Sequence, residues 1–241
     1  MKKRLFLALH VLGWAMLLLV LLMGAVFSVA ADDKLYFRLQ MEADILPSAG
    51  ISSHDLRVLD QRLSAGLFAP LNADAAFDNQ EIEVFGSLQP PFGERELAHL
   101  YDCRRLLSPT QPGMLYAALL LAGAILLCCG GRSFQRGRLI AAWTAAGLLL
   151  APLAALGAWA AVDFSAAFDF FHRMLFSNDL WLLNPQTDLL IRICPASMFA
   201  GMGLRIALRA LGALLGGLLL YTLLYKLDRR KKTGSTKEGT I

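Results

Sequence analysis

Residues 5–30 read LFLALHVLGWAMLLLVLLMGAVFSVA, an apolar run that follows the basic start of the chain. About 20 apolar residues in a helix cross the roughly 30 Å hydrocarbon core of a bilayer. Three more runs of this kind are predicted, at residues 114–130, 139–162 and 196–225. The 241-residue chain is 56% hydrophobic, with a mean hydropathy of +0.52. A soluble domain of this size has no interior large enough for so much apolar surface, so the sequence predicts a mainly α integral membrane protein.

Basic residues lie at the ends of these runs. The loop at residues 131–138 carries three arginines and no acid, and the tail at residues 226–241 is also basic. Because cytoplasmic loops are rich in Lys and Arg, both termini and this loop are predicted to be cytoplasmic. The net charge is +4 and the pI is near 9.0, and the basic residues behind these values lie at the ends of the apolar runs. Nucleic acid is therefore not expected as a partner, and residues 31–113 and 163–195 are expected outside the cytoplasm.

The first run has two interpretations, a retained anchor or a cleaved signal peptide with small residues before Asp32. The apolar core of a signal peptide is typically about 7–15 residues long. The longer run here favours an anchor. Residues 31–113 lie outside the cytoplasm in both cases.

The first external segment is predicted to be a small α+β cap. Its residues 51–70 have leucines at spacings of three and four, which indicates one apolar helix face, and Ser52 with Asp55 resembles an N-terminal cap. Residues 93–108 predict a second helix, QEIEVFG (80–86) a short strand, and KLYFRLQM (34–41) a weaker strand. The predicted fold is thus four transmembrane helices, this cap, and a short interfacial segment at residues 163–195.

Two histidines lie on predicted helices beside the outer membrane face. Glu96 and Asp102 each stand three residues from His99, and Asp169 stands three residues before His172. A carboxylate one turn away can fix the tautomer of an imidazole that acts as a general base. The same spacing also occurs in metal sites of helical bundles. The residues alone leave open a catalytic site, a metal site and solvated ion pairs.

Two stretches around these histidines resemble the motifs of a known family. FGERELAHLYDCRRLL (92–107) resembles a pattern E-x-x-H-M-x-D-V, with Leu100 in place of methionine and Cys103 in place of valine. FDFFHRMLFSNDLWLLNPQTDLLIRICP (168–195) resembles the second motif, with its F-H, its tryptophan, its N/D-P turn and its D-x-L-I run. The family is the lipoprotein intramolecular transacylase family of bacterial integral membrane proteins.

The resemblance implies an acyltransferase of the bacterial cytoplasmic membrane, with its active site at the outer leaflet. It would move the sn-2 acyl chain of a diacylglyceryl lipoprotein to the N-terminal amine of the same lipoprotein, with no metal or other cofactor. Diacylglyceryl lipoproteins and membrane lipid are the expected partners. His99 and His172 would be catalytic. The expected supporting residues are Glu96, Asp102, Asp169, Trp181, Asp188 and Arg192.

Other residues and functions also enter the prediction. Arg205 and Arg209, one turn apart in the last run, would reach lipid headgroups or the site carboxylates, or would snorkel. Cys103 and Cys194 lie in external segments, where disulfides are permitted, and a bridge between them would join these segments. Two alternatives to the transacylase are a non-catalytic membrane partner protein and a metal-dependent membrane hydrolase. The metal ligands would be Glu96, His99, Asp169 and His172.

Overall fold

The computed structural model describes residues 2–73, 76–107, 116, 119, 123 and 135–238. The chain divides into two compact units, one of Met1–Gly24, Leu115–Ala154 and Ala207–Ile241, the other of Ala25–Met114 and Ala155–Ile206. The helices are α1 (Lys2–Ala30), α2 (Asp33–Glu42), α3 (Leu46–Ala49), α4 (Ser53–Leu67), α5 (Glu94–Leu107), α6 (Gln135–Val162), α7 (Phe164–Leu175), α8 (Leu189–Ile193) and α9 (Ala196–Glu238), with strands β1 (Ile82–Val84) and β2 (Ser87–Gln89).

Three of the described helices contain a segment long and apolar enough to cross a membrane, at Leu7–Ala30, Leu139–Val162 and Ala196–Leu223. Only 28%, 22% and 11% of the most apolar stretch of each is buried, which leaves most of their apolar surface for lipid. The predicted span at residues 114–130 lies outside the described residues except for 116, 119 and 123. The protein is thus mainly helical with three candidate spans, and the count of four stays a prediction.

The first unit has a core formed by α1, α6 and α9. Trp14 and Leu18 of α1 pack with Leu214 and Leu218 of α9 against a row of alanines on α6. Small side chains let helix backbones approach closely, which is how helices commonly pack in membranes. The alanines are Ala141, Ala142, Ala145 and Ala146.

The second unit contains the cap, and its core confirms the predicted α4. Ser52 is the N-cap, its Oγ accepting from Asp55 N at 3.0 Å. The predicted α5 and β1 are confirmed too, and β1 pairs with β2 through a two-residue turn at Phe85 and Gly86, both at positive φ. The fully buried Leu56 and Leu59 of α4 pack in one cluster with residues of the hairpin, α5 and α8. This cluster fixes α5, which carries His99.

The strand predicted for KLYFRLQM is wrong, because this segment forms most of α2. The side chain of Asp32 caps the helix by accepting from Leu35 N at 3.0 Å. Burial of one helix face outweighs the weak strand preference of its aromatic residues. The buried residues, Leu35, Tyr36, Leu39 and Gln40, follow the helical period.

Gln40 ties α2 to two other elements of the second unit. Its Nε2 donates to Asp60 Oδ1 of α4 at 3.0 Å and to the carbonyl of Ile193 in α8 at 2.9 Å. Burial raises the pKa of Asp60 to about 7. These contacts hold α2 by its inner face and leave its outer face open.

Candidate active site

Helix α5 carries His99 on its buried face. Glu94 and Glu96 lie in its first turn and Arg104 and Arg105 in its last, as the helix dipole favours. His99 is 8% exposed, and Leu100 beside it packs into the core of the cap. The imidazole is therefore held by a well-packed helix.

Helix α7 carries His172 near its C-terminal end. Asp163 caps the helix by accepting from Ala166 N at 2.9 Å, and Phe176 N donates to the carbonyl of His172 at 2.8 Å where the helix ends. His172 is 7% exposed, although its neighbours in sequence, Phe171 and Arg173, are exposed. Its ring therefore points into the protein.

The two helices bring the histidine rings together. The ring centroids of His99 and His172 are 6.1 Å apart, with an angle of 39° between the planes. The ring of Phe176 lies beside both, with its centroid 5.2 Å from that of His99 and 5.8 Å from that of His172. The ring centroid of Trp181 lies 4.9 Å from that of His172, with an angle of 30° between the planes. The ring centroid of Phe168 lies 4.0 Å from that of His172. Aromatic rings thus enclose this histidine pair.

The hydrogen bond of His172 fixes its tautomer. Nδ1 lies 2.8 Å from the carbonyl oxygen of Phe168, which can only accept, so Nδ1 must carry the proton. In the neutral ring, Nε2 then keeps its lone pair. His172 therefore has the proton arrangement of a general base.

Both imidazoles are disposed to be neutral. Burial, with a smaller effect from His172, lowers the pKa of His99 to about 4, although Asp102 acts in the opposite direction. Burial also lowers the pKa of His172, against the opposing effects of the Phe168 carbonyl and Asp169. In the neutral His172 ring, the N–H is bonded to Phe168, so this ring offers only the lone pair of Nε2. The neutral His99 ring offers both a lone pair and an N–H.

Cys103 lies one turn after His99 on α5. Its Sγ is 3.5 Å from Nε2 and 4.0 Å from Nδ1 of that ring. Burial, followed by the charge of Asp102, raises the pKa of this thiol to about 12. The sulfur is therefore a protonated, weakly hydrogen-bonding neighbour of His99 rather than a thiolate nucleophile.

Comparison with known proteins identifies the family. The family model described as lipoprotein intramolecular transacylase matches residues 11–199, more than three quarters of the chain. The chain belongs to the lipoprotein intramolecular transacylase family. A search of the curated proteins finds no match.

Solved structures of a transacylase from Bacillus cereus share the fold. The membrane-integral lipoprotein intramolecular transacylase of that organism matches with a TM-score of 0.67 and 23% identity, over 96% of this chain and 98% of the other. A variant of it with one histidine replaced by arginine matches with a TM-score of 0.62 and 22% identity, over 97% and 95%. The protein is therefore a multi-pass membrane protein of a transacylase family.

The acids expected to support the two histidines are bonded to other groups. Asp102 accepts from Arg105 at 3.2 Å and from Asn178 of the loop after α7 at 2.8 Å. Glu96 accepts from Gly93 N and from Leu190 N of α8, both at 2.7 Å. Burial raises the pKa of Glu96 despite these two donors. The expected orienting bond to His99 is not among these contacts, and both acids instead join α5 to neighbouring segments.

Asp169 and Trp181 flank His172 in different ways. Asp169 is exposed and influences His172 through its charge. Trp181 is buried and lies against the imidazole ring. The backbone carbonyl of Phe168 orients His172, a role the sequence prediction gave to Asp169.

Asp188 and Arg192 stabilise the turn before α8 and α8 itself. Asp188 accepts from Asn184 N at 2.8 Å and from Thr187 Oγ1 at 2.7 Å, while its carbonyl accepts from Arg192 Nε at 3.2 Å. The Arg192 guanidinium lies 5.5 Å from the ring centroid of Phe85. Both contribute to the packing of the second motif.

The remaining predicted residues are two arginines of α9 and two cysteines. Arg205, half-buried in α9, donates to the carbonyl of Gly201 at 3.2 Å, and Arg209 is exposed. Their contact with lipid headgroups stays a prediction. Cys103 and Cys194 are both free thiols in this structure. Burial raises the pKa of Cys194.

The ligand set of the metal-hydrolase alternative is not assembled. Among the residues that the structure describes, no three His, Cys, Asp or Glu side chains are grouped as metal ligands. Glu96, one of the four, is committed to two backbone N–H groups. The described residues therefore do not bring these four side chains together as one ligand set.

Two site features could not be read from the residue types. The Phe168 carbonyl is a backbone group, and its role depends on His172 being four residues later in a helix. The approach of Phe176 to His99 depends on how α5 and α7 pack. The sequence signal that did mark the region was the density of aromatic residues around His172.

Proposed function

We propose that this protein transfers the sn-2 acyl chain of a diacylglyceryl-cysteine lipoprotein to the α-amine of the same cysteine, giving the lyso-form lipoprotein. One observation carries the proposal. Two buried imidazoles lie 6.1 Å apart, and His172 keeps Nε2 free because Nδ1 is bound to a carbonyl. This is the arrangement that an attack of an amine on an ester requires.

His172 acts as the base in the first step. The neutral amine attacks the ester carbonyl, the new C–N bond forms, and Nε2 of His172 accepts the proton that the nitrogen loses. A positioned general base contributes about 10²–10⁴-fold to such a step. Burial supports this role, because it lowers the pKa of His172 and keeps the ring unprotonated at neutral pH.

His99 stabilises the charge that develops in the same step. The carbonyl oxygen becomes an oxyanion, and the N–H of the neutral His99 ring donates to it. Losing one such donor typically costs about 10²–10³-fold. The tetrahedral intermediate then collapses as the glycerol C–O bond breaks, and the leaving oxygen takes the proton back from His172. The products are an amide and a free sn-2 hydroxyl, so all atoms and charges balance.

The aromatic surround suits a lipid substrate. Phe168, Phe176 and Trp181 offer an apolar wall for the glycerol and the acyl chain, and they restrict water that would otherwise hydrolyse the ester. The amine and the ester belong to one molecule, so proximity supplies much of the rate. In this proposal the site faces the outer leaflet of a bacterial cytoplasmic membrane and both termini are cytoplasmic.

Expression in a bacterium that lacks lipoprotein N-acylation tests the proposal. We expect N-terminal lipopeptides with an N-acyl group and one O-acyl chain, detected by fragmentation mass spectrometry. His172→Ala should lower their yield at least 100-fold, and His99→Ala about 100-fold. His54→Ala is the matched control, because His54 is exposed on α4 and should leave the yield unchanged.

The same samples separate the alternatives. Unmodified diacylglyceryl peptides beside well-folded wild-type protein would contradict acyl transfer and favour a partner protein. Elemental analysis tests the metal interpretation: stoichiometric zinc or iron whose removal abolishes activity would contradict a mechanism based on the histidine pair alone.

A further inference from the structure

The outer face of α2 forms an open groove with α4 that the acyl-transfer chemistry does not use. Its volume is about 530 Å³. It is lined by Lys34, Phe37, Arg38, Met41 and Glu42 of α2 and by Arg57 of α4, and we name it the cationic groove.

The charges of the cationic groove are unbalanced. Three cationic side chains, Lys34, Arg38 and Arg57, share it with one carboxylate, Glu42. Within the described residues, neither Lys34 nor Arg38 forms an ion pair, whereas Arg62 and Arg105 pair with acids at 3.2 Å. The groove therefore carries positive charge that its own residues do not neutralise.

One of these cations is already held in place. The guanidinium of Arg57 lies over the ring of Phe37, 4.3 Å from its centroid. This cation–π contact reduces the freedom of the side chain before a ligand binds. A planar guanidinium with several N–H donors suits the oxygens of a phosphate.

The groove also has an apolar part and lies close to a membrane span. Phe37 and Met41 lie among the cations, and Met41 is exposed. The candidate span Leu7–Ala30 ends three residues before Asp33, the first residue of α2. Three residues reach at most about 11 Å, so α2 begins within or just outside the headgroup layer, which is about 5–8 Å thick on each side of the hydrocarbon core.

We propose that the cationic groove binds the phosphate headgroup of an anionic phospholipid. The cations contact the phosphate, and Phe37 and Met41 contact the glycerol and the start of the acyl chains. An acidic peptide would match the charge, but it would use neither the apolar part nor the position beside the span. This site is separate from the histidine pair and stands independently of the proposed transacylase activity.

Photo-crosslinking of the full-length protein in phosphatidylcholine nanodiscs tests the site. The probe is phosphatidylglycerol with a photoactivatable headgroup, and crosslinked peptides are mapped by mass spectrometry. We expect saturable crosslinks within residues 34–57. Lys34→Gln with Arg38→Gln should weaken this binding about 25-fold, or about fivefold for each basic side chain lost at an anionic surface.

Charge-conserving substitutions provide the matched control. Lys34→Arg with Arg38→Lys changes the same two exposed positions and should keep binding within about twofold. Crosslinks in the basic segment at residues 226–237 serve as an internal reference that neither double variant should change. His172→Ala should also leave the groove crosslinks unchanged, which separates this test from that of the acyl transfer.

Competition identifies the source of the phosphate. Inorganic phosphate and an acidic peptide should displace the probe no better than sodium chloride at matched ionic strength, because neither provides lipid chains. Displacement by either one beyond the salt effect would overturn the lipid assignment. Equal crosslinking of the wild type and the Lys34→Gln, Arg38→Gln variant would overturn the site itself.

Discussion

At the scale of single residues, His172 is held on two sides. The carbonyl of Phe168 binds Nδ1 at 2.8 Å, and the ring of Trp181 lies 4.9 Å away. The backbone bond selects the tautomer, and the aromatic contacts remove water from the ring. The proposed base is therefore oriented by a backbone carbonyl rather than by a carboxylate.

The protonation of the histidine pair can be observed directly. In ¹⁵N-histidine-labelled protein, we expect His172 to show the Nδ1–H tautomer at pH 7. Because burial lowers both pKa values, His172 should become an imidazolium only at a lower pH than an exposed histidine does, and His99 only near pH 4. Nuclear magnetic resonance of the wild type, assigned with His99→Ala and His172→Ala, gives the measurement. An imidazolium or an Nε2–H tautomer at position 172 at pH 7 would contradict the proposed role.

At the scale of secondary-structure elements, Glu96 links two of them. Its carboxylate accepts from Gly93 N before α5 and from Leu190 N at the start of α8. The side chain is buried. One acid thus fixes the start of the helix that carries His99 and joins it to the second motif.

Removing this link should destabilise the protein. Glu96→Ala loses two bonds to a buried carboxylate and leaves the buried Leu190 N–H without a partner, so we expect a loss of about 3 kcal/mol. Thermal unfolding in detergent provides the measurement. Glu94→Ala, at an exposed position in the same turn, should change stability by less than about 0.5 kcal/mol. Equal stability of the two variants would show that Glu96 does not link these elements.

Helical periodicity predicted α4 and α5 well, whereas the strand-like pattern of KLYFRLQM misassigned α2. The leucine spacing of α4 and the residue pattern of α5 were sufficient to predict these two helices, because each helix buries one regular face. The α2 segment contains Tyr36 and Phe37, which favour strands, and only the packing of Leu35 and Leu39 against other elements decides its conformation. The acid near His99 was identified from spacing, but spacing does not show that Glu96 faces α8.

At the scale of the whole molecule, the proximity of the histidines bears on the topology. His99 precedes residues 114–130, and His172 follows the candidate span Leu139–Val162. Two residues whose rings lie 6.1 Å apart are on one side of the membrane. The span predicted at residues 114–130 would, together with Leu139–Val162, give the two crossings expected between them.

The orientation of the chain can be tested by cysteine labelling. Leu88→Cys lies on the hairpin of the cap, where Leu88 is 73% exposed. It should react with a membrane-impermeant thiol reagent on intact spheroplasts. Lys237→Cys, in the basic tail, should react only after lysis. The reverse pattern would place the cap in the cytoplasm and contradict an active site at the outer leaflet.

An isotope crossover with purified protein tests the acyl transfer most directly. Two synthetic diacylglyceryl lipopeptides are mixed, one with a deuterated sn-2 acyl chain and the other with a heavy-isotope peptide. Transfer within one molecule predicts N-acylated products that keep the total mass of their parent, and none with His172→Ala. Products that carry both labels, or release of free fatty acid without N-acylation, would contradict it.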